Sequence, residues 1–292
     1  MIGVEWRMTS FRAFRFARDG AIRDRRTGPR GVARVQDKRF ADTLREEIGP
    51  WLAAGEEHVV LAGMIGSREG WLQTAFLPCP AGAGELADAL TDVPFGWAKV
   101  KLVPGLAATD EGGVPEVMRG EETRLVGALA GVGERGIACV PGTQSKWARI
   151  ERGRIVGFST WMTGEALAAL RMAPALGRMV REGPVDLHAF DQGVARSADP
   201  GGLLHHLFGV RALGLAGRLS EGAAPAYLQG LLVGHEVREA TPRGGVVHLV
   251  GAPDATALYA RAITACRGRP ALVPPDEAVR GLFLIGEAAR WD

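Results

Sequence analysis

Ile137-Ala-Cys-Val-Pro-Gly-Thr-Gln-Ser-Lys-Trp-Ala-Arg-Ile150 runs from apolar residues through a loop of small ones into a second apolar run. It reads as a buried strand at 137–140, a loop at 141–145 and a strand at 146–150. Arg152-Gly153 is a turn signal, and 154–160 is the returning strand of a hairpin. The same order opens the chain. Ile2–Trp6 is a short apolar strand, and Phe11–Phe16 alternates aromatic or alanine with arginine at the strand period. Asp19-Gly20 is a turn signal and 21–26 the returning strand. Strand, loop and hairpin begin each half, which implies a duplicated architecture with a boundary at 131–136.

Outward from these two segments, a helix is expected over 38–53, with Phe40, Leu44, Ile48, Trp51 and Leu52 on one face. Strands follow at 59–62 and 98–103, and a helix at 119–130 with acids at its start, where the macrodipole favours them. The second half turns helical at 164–171, 184–196, 200–215, 225–239, 254–266 and 275–288, with one apolar strand at 246–250. Alternating strands and helices indicate an α/β fold, in which ligands bind where strands end in loops.

The 292 residues suit one large domain or two modest ones, and 47% hydrophobic with 23% charged residues is the composition of a globular chain. Glycine is frequent, 41 residues, and without a collagen-like period it marks turns. A net charge of +2 gives no general electrostatic case for nucleic acid. The basic residues are arginine apart from four lysines, Lys38, Lys99, Lys101 and Lys146. Cys79, Cys139 and Cys266 are too far apart for a disulfide framework or a CxxC metal site and read as reduced, buried thiols. The N-terminus lacks a signal-peptide pattern, and no apolar run reaches the ~18–20 residues of a membrane span. A soluble, cytoplasmic protein without membrane contact is expected.

Gly131-Val-Gly-Glu-Arg-Gly136 matches G-x-G-x-x-G, but it follows a helix and precedes a strand, the reverse of the dinucleotide fingerprint. It reads as an interdomain turn. No P-loop, HExxH or GxSxG motif is present, and His205-His206 in an apolar helical run reads as a structural pair. The loop Pro141-Gly-Thr-Gln-Ser-Lys-Trp147 offers a glycine, hydroxyls, backbone N–H groups and one of the few lysines, the elements that cradle phosphate; the alternative is a plain hairpin turn with a solvated lysine. Gly63-Met-Ile-Gly-Ser-Arg-Glu-Gly-Trp71 follows a strand, where Ser67 offers a hydroxyl and Arg68 a fork for a carboxylate; the alternative is an irregular loop in an arginine-rich chain. Glu116-Val-Met-Arg-Gly-Glu-Glu-Thr123 puts three carboxylates and an arginine at a helix start, for dipole complementation, a general base or outer magnesium ligands. Val250-Gly251 leads a strand into a helix, a tight turn or a seat for a flat base.

These segments, with Leu77-Pro-Cys-Pro-Ala-Gly82, Val103-Pro-Gly-Leu106, Met162-Thr-Gly-Glu165, Leu207-Phe-Gly-Val-Arg211 and Tyr227-Leu-Gln-Gly-Leu-Leu-Val-Gly-His-Glu236, resemble the 2-dehydro-3-deoxygalactonokinase family of the actin-like ATPase superfold, in order and over nearly the whole chain. The resemblance implies two ribonuclease-H-like (actin-like ATPase) α/β domains flanking a cleft. Residues 1–133 would form the sugar-acid-binding domain and 134–292 the nucleotide-binding domain, with the last helix, 275–288, packing back on the first. It implies ATP- and Mg²⁺-dependent phosphorylation of 2-dehydro-3-deoxy-galactonate at its 6-hydroxyl, in galactonate catabolism, by positioning and charge neutralisation. In those terms Glu116 or Glu121 accepts the hydroxyl proton, and Ser67, Arg68, Trp71 and Arg119 bind the sugar acid. Thr9, Gly142, Thr143, Ser145, Lys146 and Gly251 bind ATP, and Glu5 holds the metal. Small molecules are the expected partners, and homo-oligomerisation is left open.

The departures cluster. Where the family opens Asp-Trp-Gly-Thr, this chain has Glu5-Trp-Arg-Met8, with Glu116 in place of an aspartate and Gln144 in place of a histidine. Arg7 sets a long cationic side chain where the family has none. Two readings follow: a kinase with an altered first phosphate loop, in which Arg7 obstructs or itself neutralises phosphate, and an inactive relative that binds nucleotide or sugar acid in a regulatory role.

Overall fold

The computed structural model describes residues 1–173, 176, 183–241 and 244–291. The first half runs β1 (Ile2–Trp6), β2 (Phe11–Phe16), β3 (Ile22–Gly28), α1 (Phe40–Ala53), β4 (His58–Gly63), β5 (Phe76–Pro78), α2 (Ala83–Asp88), β6 (Thr91–Val93), β7 (Lys99–Leu102), β8 (Gly105–Thr109), β9 (Pro115–Met118) and α3 (Glu121–Val132). The second continues β10 (Arg135–Val140), β11 (Ser145–Glu151), β12 (Arg154–Trp161), α4 (Thr163–Met172), α5 (Leu187–Arg196), α6 (Gly202–Leu215), α7 (Ala224–Ala240), β13 (Val246–Leu249), α8 (Pro253–Ala265), β14 (Arg269–Leu272) and α9 (Pro275–Ala288).

The first sheet has the order β3-β2-β1-β4-β7-β6. The alternating β2 pairs antiparallel with β1 and β3, while β4 lies parallel to β1 and β7. The second sheet has the order β12-β11-β10-β13-β14, which repeats the third, second, first, fourth strand order of the first sheet; there β7 comes next and β6 adds an antiparallel edge. A meander followed by parallel strands, occurring twice, is the ribonuclease-H-like arrangement of actin-like ATPases. A small third sheet, β5-β8-β9, is inserted in the first half.

The chain forms two compact units. One comprises Met1–Ala138, Ala148–Ser159 and Val273–Asp292; the other comprises Cys139–Trp147 and Thr160–Leu272. The first unit is built on Ile2, Val4 and Trp6 of β1, Phe11 and Ala13 of β2, and the stripe Phe40, Leu44, Ile48 and Trp51 of α1. Trp6 meets Phe11 and Phe40 edge-on, with centroids at 5.0 and 5.7 Å, and its indole N–H donates to the Arg30 carbonyl at 2.8 Å. Helix α9 packs against α3 within this unit at unusually close range. A Cβ on Gly281 would lie 1.7 Å from the Thr123 carbonyl oxygen, and one on Gly127 would lie 2.3 Å from that of Glu277. Only glycine permits that backbone approach.

The three cysteines are free, and burial raises each thiol pKa, that of Cys79 to about 11. No helix among the described residues is long and apolar enough to cross a membrane.

Candidate active site

Parallel strands expose loops at their carboxyl ends, and in the first unit β1 ends at Trp6 beside β4 at Gly63. Two further segments join them there. Helix α3 begins close by: a Cβ on Gly120 would lie 3.1 Å from the Gly63 Cα. The Arg119 guanidinium stacks 4.4 Å over the Phe76 ring, donates to the Thr74 carbonyl at 2.9 Å and also reaches the Thr74 hydroxyl. Burial lowers its pKa. Arg119 therefore braces the 63–76 loop against the start of α3.

Of the residues expected at a sugar-acid site, Ser67 donates to Glu69 at 3.0 Å and Arg68 is exposed on the same loop. Trp71 is half-buried, edge-on to Phe95 at 6.2 Å. Glu121 accepts the Arg119 backbone N–H at 3.1 Å. Glu116 stands on β9 opposite Ala108, in the inserted sheet. The sequence singles out Glu116 and Glu121 and passes over Glu122, a carboxyl whose pKa is raised. Glu122 is fully buried; one oxygen accepts the Gly120 N–H at 2.6 Å, and the other has no hydrogen-bond partner among the described residues. Desolvation, reinforced by the Glu121 charge, pushes its pKa up to about 8. An adjacent pair of glutamates gives no hint which of the two faces inward.

Glu5, the residue expected to hold the metal, stands in β1. It is 4% exposed, and Arg124 of α3 grips it bidentately, Nε to Oε1 at 2.9 Å and Nη2 to Oε2 at 2.6 Å. Two more guanidiniums stand against Oε2, Arg7 at 3.6 Å and Arg12 at 3.7 Å. Arg12 is the cross-strand neighbour of Glu5 and so shares its face of the sheet. Both oxygens are already engaged and three cations surround one anion, so Glu5 does not fit a divalent-metal ligand. The Arg7–Ser10 turn closes through Arg7 N–H to the Ser10 carbonyl at 2.9 Å, and the segment at 31–33 packs onto it, donating to the Arg7 and Met8 carbonyls at 2.8 and 3.0 Å. Thr9 is exposed on that turn.

In the second unit the 141–147 loop splits in two. Gly142 and Thr143 are exposed, while Ser145 and Lys146 are buried, at 0% and 3% exposure. Strand β11 begins at Ser145, and its hydroxyl lies 2.7 Å from the Tyr259 hydroxyl and 3.4 Å from Glu236. Glu236, itself buried, also accepts the Trp147 indole N–H at 2.7 Å and the Tyr259 hydroxyl at 2.8 Å. Desolvation raises its pKa against those hydrogen bonds. Ser145 thus belongs to a buried hydrogen-bond network with Tyr259 and Glu236. Lys146 donates to the Thr160 hydroxyl at 2.9 Å, so it is not the solvated lysine of a simple turn.

The open part of the loop is buttressed by α4, a contribution the sequence did not reveal. Glu165 N–H donates to the Thr143 carbonyl at 2.9 Å, and Gln144 Nε2 donates to the Glu165 carboxylate at 3.1 Å. A Cβ on Gly164 would lie 2.5 Å from the Gly142 carbonyl oxygen, so the helix start fits flush against the loop. Behind it is a cavity of about 150 Å³, with Pro141 and Gly142 on one side and Leu167, Val233, Leu258 and Tyr259 among its walls. Gly251 does not line it. A Cβ there would meet nothing closer than 3.6 Å, so sterics do not demand glycine. His206 is buried, 3.0 Å from His235 and 3.1 Å from the Pro200 carbonyl, while His205 is exposed, so the hydrogen-bonded histidine pair is His206 with His235 and not His205 with His206.

The family model described as 2-keto-3-deoxy-galactonokinase matches residues 5–285. A Rhizobium meliloti (strain 1021) relative described as a probable 2-dehydro-3-deoxygalactonokinase is 33% identical over 99% of this chain and 96% of its own length. The 2-dehydro-3-deoxygalactonokinase of Escherichia coli (strain K12) is 33% identical over 90% of this chain and 89% of its own. A crystal structure from Sinorhizobium meliloti, assigned to the same kinase, superposes with a TM-score of 0.89 at 33% identity, covering 98% of each chain.

Proposed function

Since the chain belongs to the 2-keto-3-deoxy-galactonokinase family, phosphotransferases with an alcohol group as acceptor, we propose that it transfers phosphate from ATP to the 6-hydroxyl of 2-dehydro-3-deoxy-galactonate. The observation that carries this reading is the family match over residues 5–285, which takes in both loops described above. Arg68, exposed and fork-shaped, takes the sugar-acid carboxylate, with Ser67 and Trp71 beside it. Arg119 acts by holding that loop in place through Thr74 and Phe76. Glu116 or Glu121 accepts the hydroxyl proton.

Gly142 and Thr143 supply exposed backbone for phosphate oxygens, and Lys146 lends its charge from beneath the loop. The adenine side is assigned to the apolar cavity of about 150 Å³, whose Pro141 wall, and not Gly251 itself, borders the turn at Gly251. No step is assigned to magnesium at Glu5, whose carboxylate is held by Arg124. The functional division near 131–136, cytoplasmic residence and small-molecule partners complete the reading. The inactive, ligand-binding alternative draws support from one observation, that same engagement of Glu5.

Incubating the protein with ATP and 2-dehydro-3-deoxy-galactonate and locating the product phosphate by ³¹P–¹H correlation tests the reading. Phosphate on the 6-oxygen is expected. An unmodified sugar acid, or phosphate on another hydroxyl, would contradict it.

A further inference from the structure

The guanidiniums around Glu5 do more than exclude a metal. Glu5 and Arg124 neutralise one another through two hydrogen bonds and are nearly sealed from solvent. That leaves Arg7 and Arg12 as surplus charge. Their nitrogens stand 3.6 and 3.7 Å from Glu5 Oε2, too far for good hydrogen bonds, and neither side chain donates one to any described residue. Both are partly open to solvent, with side chains 44% and 30% exposed. Arg12 is further steadied by the Phe14 ring at 5.4 Å. Two cationic forks with unspent N–H donors, set at the carboxyl end of a parallel strand, form a ready oxyanion receptor. The buried pair beneath them holds their positions, Arg12 by strand register and Arg7 by the closed turn at 7–10.

We propose that Arg7 and Arg12, held over the sealed Glu5–Arg124 pair, form an oxyanion site for the phosphate groups of a metal-free polyphosphate, supplying by guanidinium charge what a divalent cation at Glu5 would supply. The nucleotide as its source rests on the kinase reading; the site itself rests on the arginine geometry.

The test is calorimetric titration of the full chain in EDTA and, separately, in excess Mg²⁺, with ATP, inorganic tripolyphosphate and adenosine as probes. ATP and tripolyphosphate should bind in EDTA at least as tightly as with Mg²⁺, and more weakly as salt rises. Adenosine should bind far more weakly than ATP. The Arg7→Gln/Arg12→Gln variant should lower tripolyphosphate and ATP affinity in EDTA by about tenfold or more and leave sugar-acid affinity unchanged. Both positions are partly exposed and make no hydrogen bonds, so an unchanged melting temperature should confirm that the variant is folded. Tripolyphosphate binding that survives the double substitution, or that requires Mg²⁺, overturns the site. Arginine-dependent tripolyphosphate binding in a protein that never phosphorylates the sugar acid would support the site and refute the kinase reading, so the two fail separately.

Discussion

Replacing Glu122 by Gln should stabilise the protein at neutral and alkaline pH while changing little in acid. The folded state holds Glu122 in its protonated form up to about pH 8, whereas the unfolded chain releases that proton near the ordinary value of 4.5. A raised carboxyl pKa favours folding fully only below the unfolded value. Stability is lost progressively as pH climbs from 4.5 to about 8 and is constant beyond. At roughly 1.4 kcal/mol per pH unit, the ceiling on the loss is about 5 kcal/mol above pH 8 and about 3 kcal/mol at pH 7. Glutamine does not titrate. Its carbonyl can accept the Gly120 N–H that Glu122 accepts now, and its amide replaces the oxygen that has no partner. Urea unfolding followed by tryptophan fluorescence at pH 5, 7 and 9 measures the difference. The advantage of the variant should be under about 1 kcal/mol at pH 5 and grow to several kcal/mol at pH 9. A pH-independent difference, or a variant less stable than the parent at pH 9, would refute a buried, protonated Glu122.

Arg68→Ala should weaken sugar-acid binding by about tenfold or more, the scale of a lost charge-assisted hydrogen bond, with ATP affinity unchanged; equal sugar-acid affinity in calorimetry would remove Arg68 from the site. Gly164→Ala places a Cβ 2.5 Å from the Gly142 carbonyl and should displace the phosphate loop, raising the ATP Kd several-fold at unchanged sugar-acid affinity. Restoring Asp, Gly and Thr at positions 5, 7 and 8 removes Arg7 from the cluster and should convert nucleotide binding from metal-independent to metal-dependent, read by titration with and without EDTA.

Local pattern carried the strands that build the repeated meander. Phe11–Phe16 is a strand, although the adjacent Ala13 and Phe14 are both buried and its burial does not alternate, and α1 buries Phe40, Leu44, Ile48 and Trp51 on one face as the sequence implies. The inserted sheet was not legible. Gly-Leu-Ala-Ala-Thr in β8 and Pro-Glu-Val-Met in β9 are short and weakly apolar, and they are strands because they pair with each other across a turn. Strand β14, Arg-Pro-Ala-Leu, is likewise defined by its parallel partner β13. At the candidate site, motif spacing marked the 63–71 and 141–147 loops. It could not pair Glu5 with Arg124, which lie 119 positions apart, nor turn Ser145 inward toward Glu236, 91 positions away. Those contacts are products of sheet order and helix packing, and single-sequence spacing does not encode them.

ADP release by the purified full chain, coupled to a spectrophotometric readout and measured with and without 2-dehydro-3-deoxy-galactonate, separates a sugar-acid kinase from an inactive relative. The kinase reading predicts ADP formation that appears only with the sugar acid, saturates with it and is lost in Arg68→Ala at subsaturating sugar acid. ADP formation indifferent to the sugar acid, or absent with both substrates bound, would contradict it.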